Sequence, residues 1–185
     1  MNNNKISNNS IENEKNSIAN TINDKITFSK PKYQLNIKIN TYDKEIYEIL
    51  YKHYKTFQYH HAGDSGVDLY NFFDITGKQF EVEPIDLNIQ CEMINIENNE
   101  YVTYILKQRS SLTKTYFDFV GSGIIDAGYR GNIISKVRCM KDSILPKGKW
   151  FQIISPDCLP IKINIVKTLS VTSRNDGAFG STGNK

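Results

Sequence analysis

The chain has 185 residues, with 23 basic against 20 acidic side chains and a formal net charge of +3. That length is enough for one domain with a substantial core. The charge excess is small and no basic stripe is concentrated anywhere, which speaks against a dedicated polyanion binder, so direct nucleic-acid binding is not expected. No apolar run approaches the roughly 20 residues that a membrane-spanning helix needs, so no membrane partner is expected either. The opening MNNNKISNNS has no apolar h-region and does not read as a secretory signal. Cys91, Cys139 and Cys158 lie far apart without a CxxC pair. They argue against a disulfide framework or a zinc knuckle and point to a reducing compartment, the cytoplasm or nucleus.

Residues 1–32 are rich in Asn, Ser, Lys, Ile and Glu and carry no sustained apolar period, which predicts a disordered extension. From Tyr33 onward the texture is that of a folded domain, 33–173. Tyr33, Leu35, Ile37 and Ile39 alternate with polar residues, the period of a strand. Ile46, Ile49 and Leu50 sit at helical spacing and predict a short helix over 43–52. After it the pattern predicts strands over 66–72, 79–83, 86–93, 101–107, 116–120, 132–140, 149–154 and 162–167. Turns are expected at Thr76-Gly77, Glu83-Pro84, Glu97-Asn98-Asn99 and the run from Leu145 to Gly148. Many short strands at close spacing predict an all-β sandwich, barrel or jelly roll. Residues 174–185, with Gly177, Gly180 and Gly183, predict a flexible C-terminal lid.

Five short blocks carry chemistry. The first, AGDSGVDLY at 62–70, leads a glycine turn into a strand and holds Asp68 at the junction; taken alone it is an ordinary turn aspartate. The second, QRSSLT at 108–113, sets Arg109 beside the hydroxyls of Ser110 and Ser111, a grouping that suits phosphate oxygens. The third, GSGIIDAGYRG at 121–131, is the most specific. It predicts a hairpin in which Asp126 faces inward and the Tyr129 ring crosses a pocket, with glycine-exposed backbone free to read a base edge. The fourth, KGKWFQII at 147–154, places one amide, Gln152, among bulky neighbours. The fifth, RNDGAFGSTG at 174–183, combines Arg174, the Phe179 ring and two hydroxyls, a composition that suits a phosphorylated planar ligand. The histidines His53, His60 and His61 form no ligand set and read as surface residues.

In this order and spacing the five blocks resemble the five motifs of the trimeric dUTPases, over about Tyr33 to the C-terminus. The strings GSGIIDAGYRGNI and RNDGAFGSTG carry most of the likeness, and GDSGVDL and QRSSL agree with it. The resemblance implies a jelly-roll (β-clip) subunit, a homotrimer whose active sites draw motifs from more than one chain, and hydrolysis of dUTP to dUMP and pyrophosphate. Such a reaction limits uracil incorporation into DNA and supplies dUMP for dTMP synthesis. The resemblance further implies Asp126 as the carboxylate that activates water, and Tyr129 as the ring that leaves no room for a 2′-hydroxyl. Gly123, Ile124 and Ile125 become the uracil-reading edge. Arg109, Ser110, Ser111 and Gln152 become phosphate contacts. Asp68 holds Mg2+ through water, the ion sitting mainly on the triphosphate. Arg174 with Phe179, Gly180, Ser181 and Thr182 forms the closing lid. Were the source viral, the place of action would be the host-cell cytoplasm.

The chain also departs from the family pattern. Its fourth block is one residue shorter than GDRIAQ and has Lys149 and Trp150 where the arginine is expected. Ser111 replaces a common glycine, and Gln108 a proline. Three rivals remain. A dCTP deaminase shares the fold and the RSSL string, but its catalytic glutamate would fall at Lys136, and lysine cannot do that work. A dUTPase-derived interaction protein would be marked by loss of Asp126 or of the fifth block, and both are present. A capsid-like structural jelly roll leaves the clustering of nucleotide-type blocks without a cause.

Overall fold

The computed structural model describes residues 30–61, 63–121 and 123–176. Most of the expected extension, Ser122, and Phe179, Gly180, Ser181 and Thr182 of the expected lid lie outside the described residues.

Strand β1 (Tyr33–Ile39) buries Tyr33, Leu35, Ile37 and Ile39, as its alternation predicts. Helix α1 (Lys44–Lys55) follows. Its N-cap is Asp43, whose carboxylate accepts from the backbone N–H groups of Glu45 and Ile46 at 2.8 and 3.1 Å. The helix runs past the predicted end because Tyr54 continues the stripe of Ile46 and Leu50; all three are buried. Such a stripe facing the core is what holds a short helix in place.

The later strands are β2 (Val67–Asn71), β3 (Ile75–Gly77), β4 (Val82–Asn95), β5 (Tyr101–Val102), β6 (Tyr104–Gln108), β7 (Phe117–Phe119), β8 (Ile124–Ile125), β9 (Asn132–Cys139), β10 (Ser143–Leu145), β11 (Gly148–Ile154) and β12 (Ile161–Ile165). A 3-10 turn spans Ser110–Lys114. One sheet has the order β12-β1-β4-β9-β7, with β5 added on β4; a second has the order β2-β11-β6-β8; β10 and β3 form a small third pair. Leu35, Ile37, Ile89 and Met93 from the first sheet join Leu69, Leu106 and Phe151 from the second in one core. Each such aliphatic side chain contributes about 1.5–3 kcal/mol by its burial. The architecture is all-β, as the strand spacing predicts, and agrees with the jelly-roll subunit that the resemblance implies.

Two expected turns are strand instead. Glu83-Pro84 lies inside β4, which is a single strand where the sequence suggested two. Its pairing with β1 covers only Ile89 to Asn95, so around Pro84 the strand has β9 alone as partner, and an edge tolerates proline. Thr76-Gly77 belongs to β3, which pairs with β10. A Cβ at Gly77 would come within 2.7 Å of the Cys139 Cβ and the Phe117 ring, so close packing rather than turning explains the glycine.

Candidate active site

The expected site residues fall into two groups, both built on the second sheet. The first lines a cavity of about 470 Å³, walled by Asp68, Arg109, Ser110, Lys149 and Gln152 and by the residues that follow α1. Gln152 on β11 stands directly opposite Asp68 on β2. Asp68 Oδ1 pairs with Arg109 Nε at 2.8 Å. Arg109 is held at two further points: its Nη1 donates to the Lys149 carbonyl at 2.9 Å, and its backbone N–H to the Trp150 carbonyl at 2.8 Å. The shortened fourth block thus has a structural role. A bulge between Gly148 and Phe151 turns the carbonyls of Lys149 and Trp150 toward Arg109, and the Trp150 indole N–H closes on the Pro146 carbonyl at 2.6 Å. Gln152 Nε2 donates to the Gln108 carbonyl at 3.2 Å. Gly66 lies against it: a Cβ there would meet Gln152 Oε1 at 2.0 Å and push the amide end aside.

Ser110 faces the cavity, whereas Ser111 does not line it and has its Oγ buried without a partner. His53 corrects its surface assignment. It is half-buried on α1 and hydrogen-bonds the Asp68 carbonyl through Nε2 at 2.8 Å. Burial holds its pKa below the ordinary value and the Lys149 charge adds to that, against the raising effect of the carbonyl. The ring is therefore neutral at pH 7. His60 is exposed but lies on the cavity wall. Sequence reasoning missed these wall residues because no local pattern ties α1 to Asp68.

The second group sits on residues 121–131, where the expected hairpin is not a paired one: β8 pairs with β6 of the second sheet, whereas β9, beyond the turn, pairs with β4 and β7 of the first. Gly123 has φ +64°, and a Cβ on it would lie 2.0 Å from the Leu106 carbonyl oxygen. Its own carbonyl accepts from the Leu106 N–H at 2.7 Å. Glycine is the residue that permits both the backbone angle and the approach. Ile124 and Ile125 then pair with Ile105 and Tyr104 of β6. The Asp126 carbonyl accepts from the Tyr129 N–H at 3.0 Å, closing a turn. The Tyr129 ring packs over Gly131, where a Cβ would lie 2.4 Å from the phenol oxygen, and its Oη donates to the Asn132 carbonyl at 2.9 Å. Burial raises the phenol pKa, so the ring is neutral. The Asp126 carboxylate, 46% exposed, pairs with Arg174, which the resemblance had assigned to phosphate.

The two groups do not line one cavity. Asp68 on β2 is three strand spacings from β8, about 14 Å at the usual 4.7–4.9 Å per step, whereas Arg109 follows β6, the neighbour of β8, at the end away from the Tyr104 and Ile105 that pair with it. The residues lining the first cavity include none from the hairpin.

The sequence profile of the dUTPase family matches residues 52–183 of this chain. The chain belongs to the dUTPase family. It is 32% identical to a deoxyuridine 5'-triphosphate nucleotidohydrolase of Fowlpox virus over 127 residues, 65% of this chain and 84% of the viral one. It is equally identical, at 32% over 133 residues, to the corresponding protein of Alkaliphilus metalliredigens, covering 69% of this chain and 89% of the other. Against the rat protein the identity is again 32%, over 66% of this chain and 58% of the rat chain. Among solved structures, a Staphylococcus bacteriophage 80alpha dUTPase aligns with a TM-score of 0.47 at 18% identity, over 81% of this chain and 98% of that one.

Proposed function

We propose that this chain hydrolyses dUTP to dUMP and pyrophosphate in sites shared between copies of a homotrimer, each site joining the hairpin of one copy to the phosphate cavity of another. Membership in the dUTPase family makes the chain a dUTP diphosphatase. The observation that supports the shared-site reading is that Gly123, Ile124, Ile125 and Tyr129, suited to the nucleoside, line no part of the cavity around which Arg109, Ser110 and Gln152 gather.

In this reading Gly123, Ile124 and Ile125 present backbone to uracil, and the pinned Tyr129 ring excludes a 2′-hydroxyl. Arg109, Ser110 and Gln152 bind phosphate oxygens, with Lys149 as an added cation; Ser111, whose Oγ is buried away from the cavity, supports the turn instead. Asp126 accepts a proton from the attacking water as its oxygen bonds to the α-phosphorus; the bond to the bridging oxygen breaks and pyrophosphate leaves with the electron pair. A positioned base of this kind supplies about 10²–10⁴-fold. Arg174 leaves Asp126 for the triphosphate, and Phe179, Gly180, Ser181 and Thr182 close with it. We read 33–173 as the catalytic domain, 174–185 as the closing segment and 1–32 as an extension apart from the chemistry.

Asp68 is a single carboxylate engaged by Arg109, and among the described residues no cluster of three or more His, Cys, Asp or Glu could cage an ion. That donor set fits Mg2+ arriving on the triphosphate with several waters retained: Asp68 would hold it, and it would neutralise charge on the leaving pyrophosphate.

The test is pyrophosphate release from dUTP by the purified chain, with its mass in solution measured alongside. Release from dUTP with little from UTP supports the reading. Ammonia release from dCTP without pyrophosphate would replace it with the deaminase.

A further inference from the structure

The buried charge for which the proposed chemistry has no use is Glu92. It sits on β4, opposite Asn36 of β1, in the sheet that carries no part of the phosphate cavity. Its side chain is 6% exposed and that of Arg130, its ion-pair partner, 5%. Glu92 Oε2 lies 3.1 Å from Arg130 Nε and accepts from the hydroxyl and backbone N–H of Ser170 at 2.6 and 3.1 Å. Its Oε1 accepts from Asn36 Nδ2 at 2.9 Å. Burial acts to raise its pKa, but these donors together outweigh burial and hold the carboxyl below the ordinary glutamate value. Both of its oxygens are therefore engaged, and Glu92 is a carboxylate.

Arg130 passes this constraint to the hairpin. Its Nη1 donates to the carbonyls of Ala127 and Tyr129 at 2.7 and 2.8 Å, one inside the turn that joins Asp126 to Tyr129 and one at its last residue. The far edge of the guanidinium donates to Ser170 Oγ at 3.0 Å, and its plane lies over the Tyr101 ring at 4.8 Å. A planar fork held at its Nε, its Nη1 and its face cannot rotate, so the turn it grips cannot either. The C-terminal segment enters the same assembly. The Thr172 hydroxyl donates to the Gly128 carbonyl, and the Asn175 carbonyl accepts from the Arg130 N–H at 2.6 Å. A buried ion pair adds little stability over well-packed apolar side chains; what it supplies is a defined geometry.

We propose that Glu92 is a positioning residue: through Arg130 and Ser170 it fixes the turn that aims Asp126 and Tyr129, and it sets the point from which residues 171–176 leave the domain. The proposal rests on the reading of the hairpin as the nucleoside half of the site.

Glu92→Gln and the milder Ser170→Ala are compared with the unaltered chain, each well below its unfolding temperature. Four quantities are read: kcat for dUTP, the dUTP-to-UTP ratio of kcat/KM, the affinity for dUMP and the affinity for pyrophosphate. Displacement of the turn by a fraction of an ångström to an ångström should lower kcat about tenfold to a hundredfold and weaken dUMP and the dUTP preference about fivefold. Pyrophosphate, bound by the other half-site, should keep its affinity. A folded Glu92→Gln chain with unchanged kcat and unchanged sugar preference overturns the proposal. So does equal weakening of dUMP and pyrophosphate, the mark of general loosening. Should Glu92→Gln fail to fold, Ser170→Ala is decided by the same readouts. An unaltered chain that does not hydrolyse dUTP instead strikes the proposed function.

Discussion

The phosphate cavity and the hairpin hold their functional groups in opposite ways. In the cavity the charged groups stand at the edge of solvent: Arg109 is part-exposed, Lys149 is exposed, and the anchoring contacts are one carboxylate and two backbone carbonyls. In the hairpin the supporting charges are buried: Glu92 and Arg130, with the half-buried Ser170, grip the turn from behind. A triphosphate is long, flexible and highly charged, and it rewards reachable cations. A base and a sugar must be told from near-identical rivals, which rewards a rigid frame. In the proposed reading one chain supplies both, on different parts of its second sheet.

Substitutions on the two sides should therefore break different quantities. The largest effect is expected at Asp126. Asp126→Asn keeps the shape but cannot take the proton, so single-turnover rates should fall at least about a hundredfold while dUMP affinity is kept. Arg109→Ala comes next. It removes a charge-assisted fork and leaves Asp68 without its partner, and kcat/KM should drop about tenfold to a hundredfold, with pyrophosphate affinity falling and dUMP affinity less so. Lys149→Ala removes an exposed cation, and should raise KM about twofold to fivefold with kcat retained; the effect should shrink as salt is added.

The smallest effect is a pH dependence. Glu92 has a folded pKa below its ordinary value of 4.5, so its contribution to stability is complete above that value and is lost as pH falls through the folded pKa. Thermal unfolding followed from neutral pH downward should show the unaltered chain losing stability in that acid window. Ser170→Ala takes away the hydroxyl that donates to the carboxylate, and should narrow the loss. Identical acid profiles for the two chains would contradict the assignment.

What the sequence disclosed follows the same division. The turn between β8 and β9 was legible because its signals are local: Gly123, the Asp126 turn and Gly131 beneath the Tyr129 ring lie within a few residues of one another. That its two arms enter different sheets was not, because strand partners are set by the whole fold. Strand β1 and the stripe of α1 were legible by their periods. Glu92 was not, because in β4 it looks like any polar residue on a strand, and its meaning depends on Arg130 and Ser170, brought to it by the fold. His53 read as a surface residue for the same reason: its partner is a backbone carbonyl on another element. Pro84 and Gly77 misled because proline and glycine mark turns on average, while here an edge pairing and a tight packing contact account for them.

The shared site is tested most directly by mixing chains. Asp126→Asn and Arg109→Ala proteins, each at least about tenfold impaired alone at low dUTP concentration, are unfolded together, refolded at equal amounts and assayed for pyrophosphate release from dUTP, with mixed oligomers verified by mass. If each site takes its hairpin from one copy and its cavity from another, independent assortment predicts recovery of about a quarter of the unaltered activity. Mixed oligomers that stay as inactive as their parents would mean that Asp126 and Arg109 of one chain serve the same site, and the shared-site reading would be wrong.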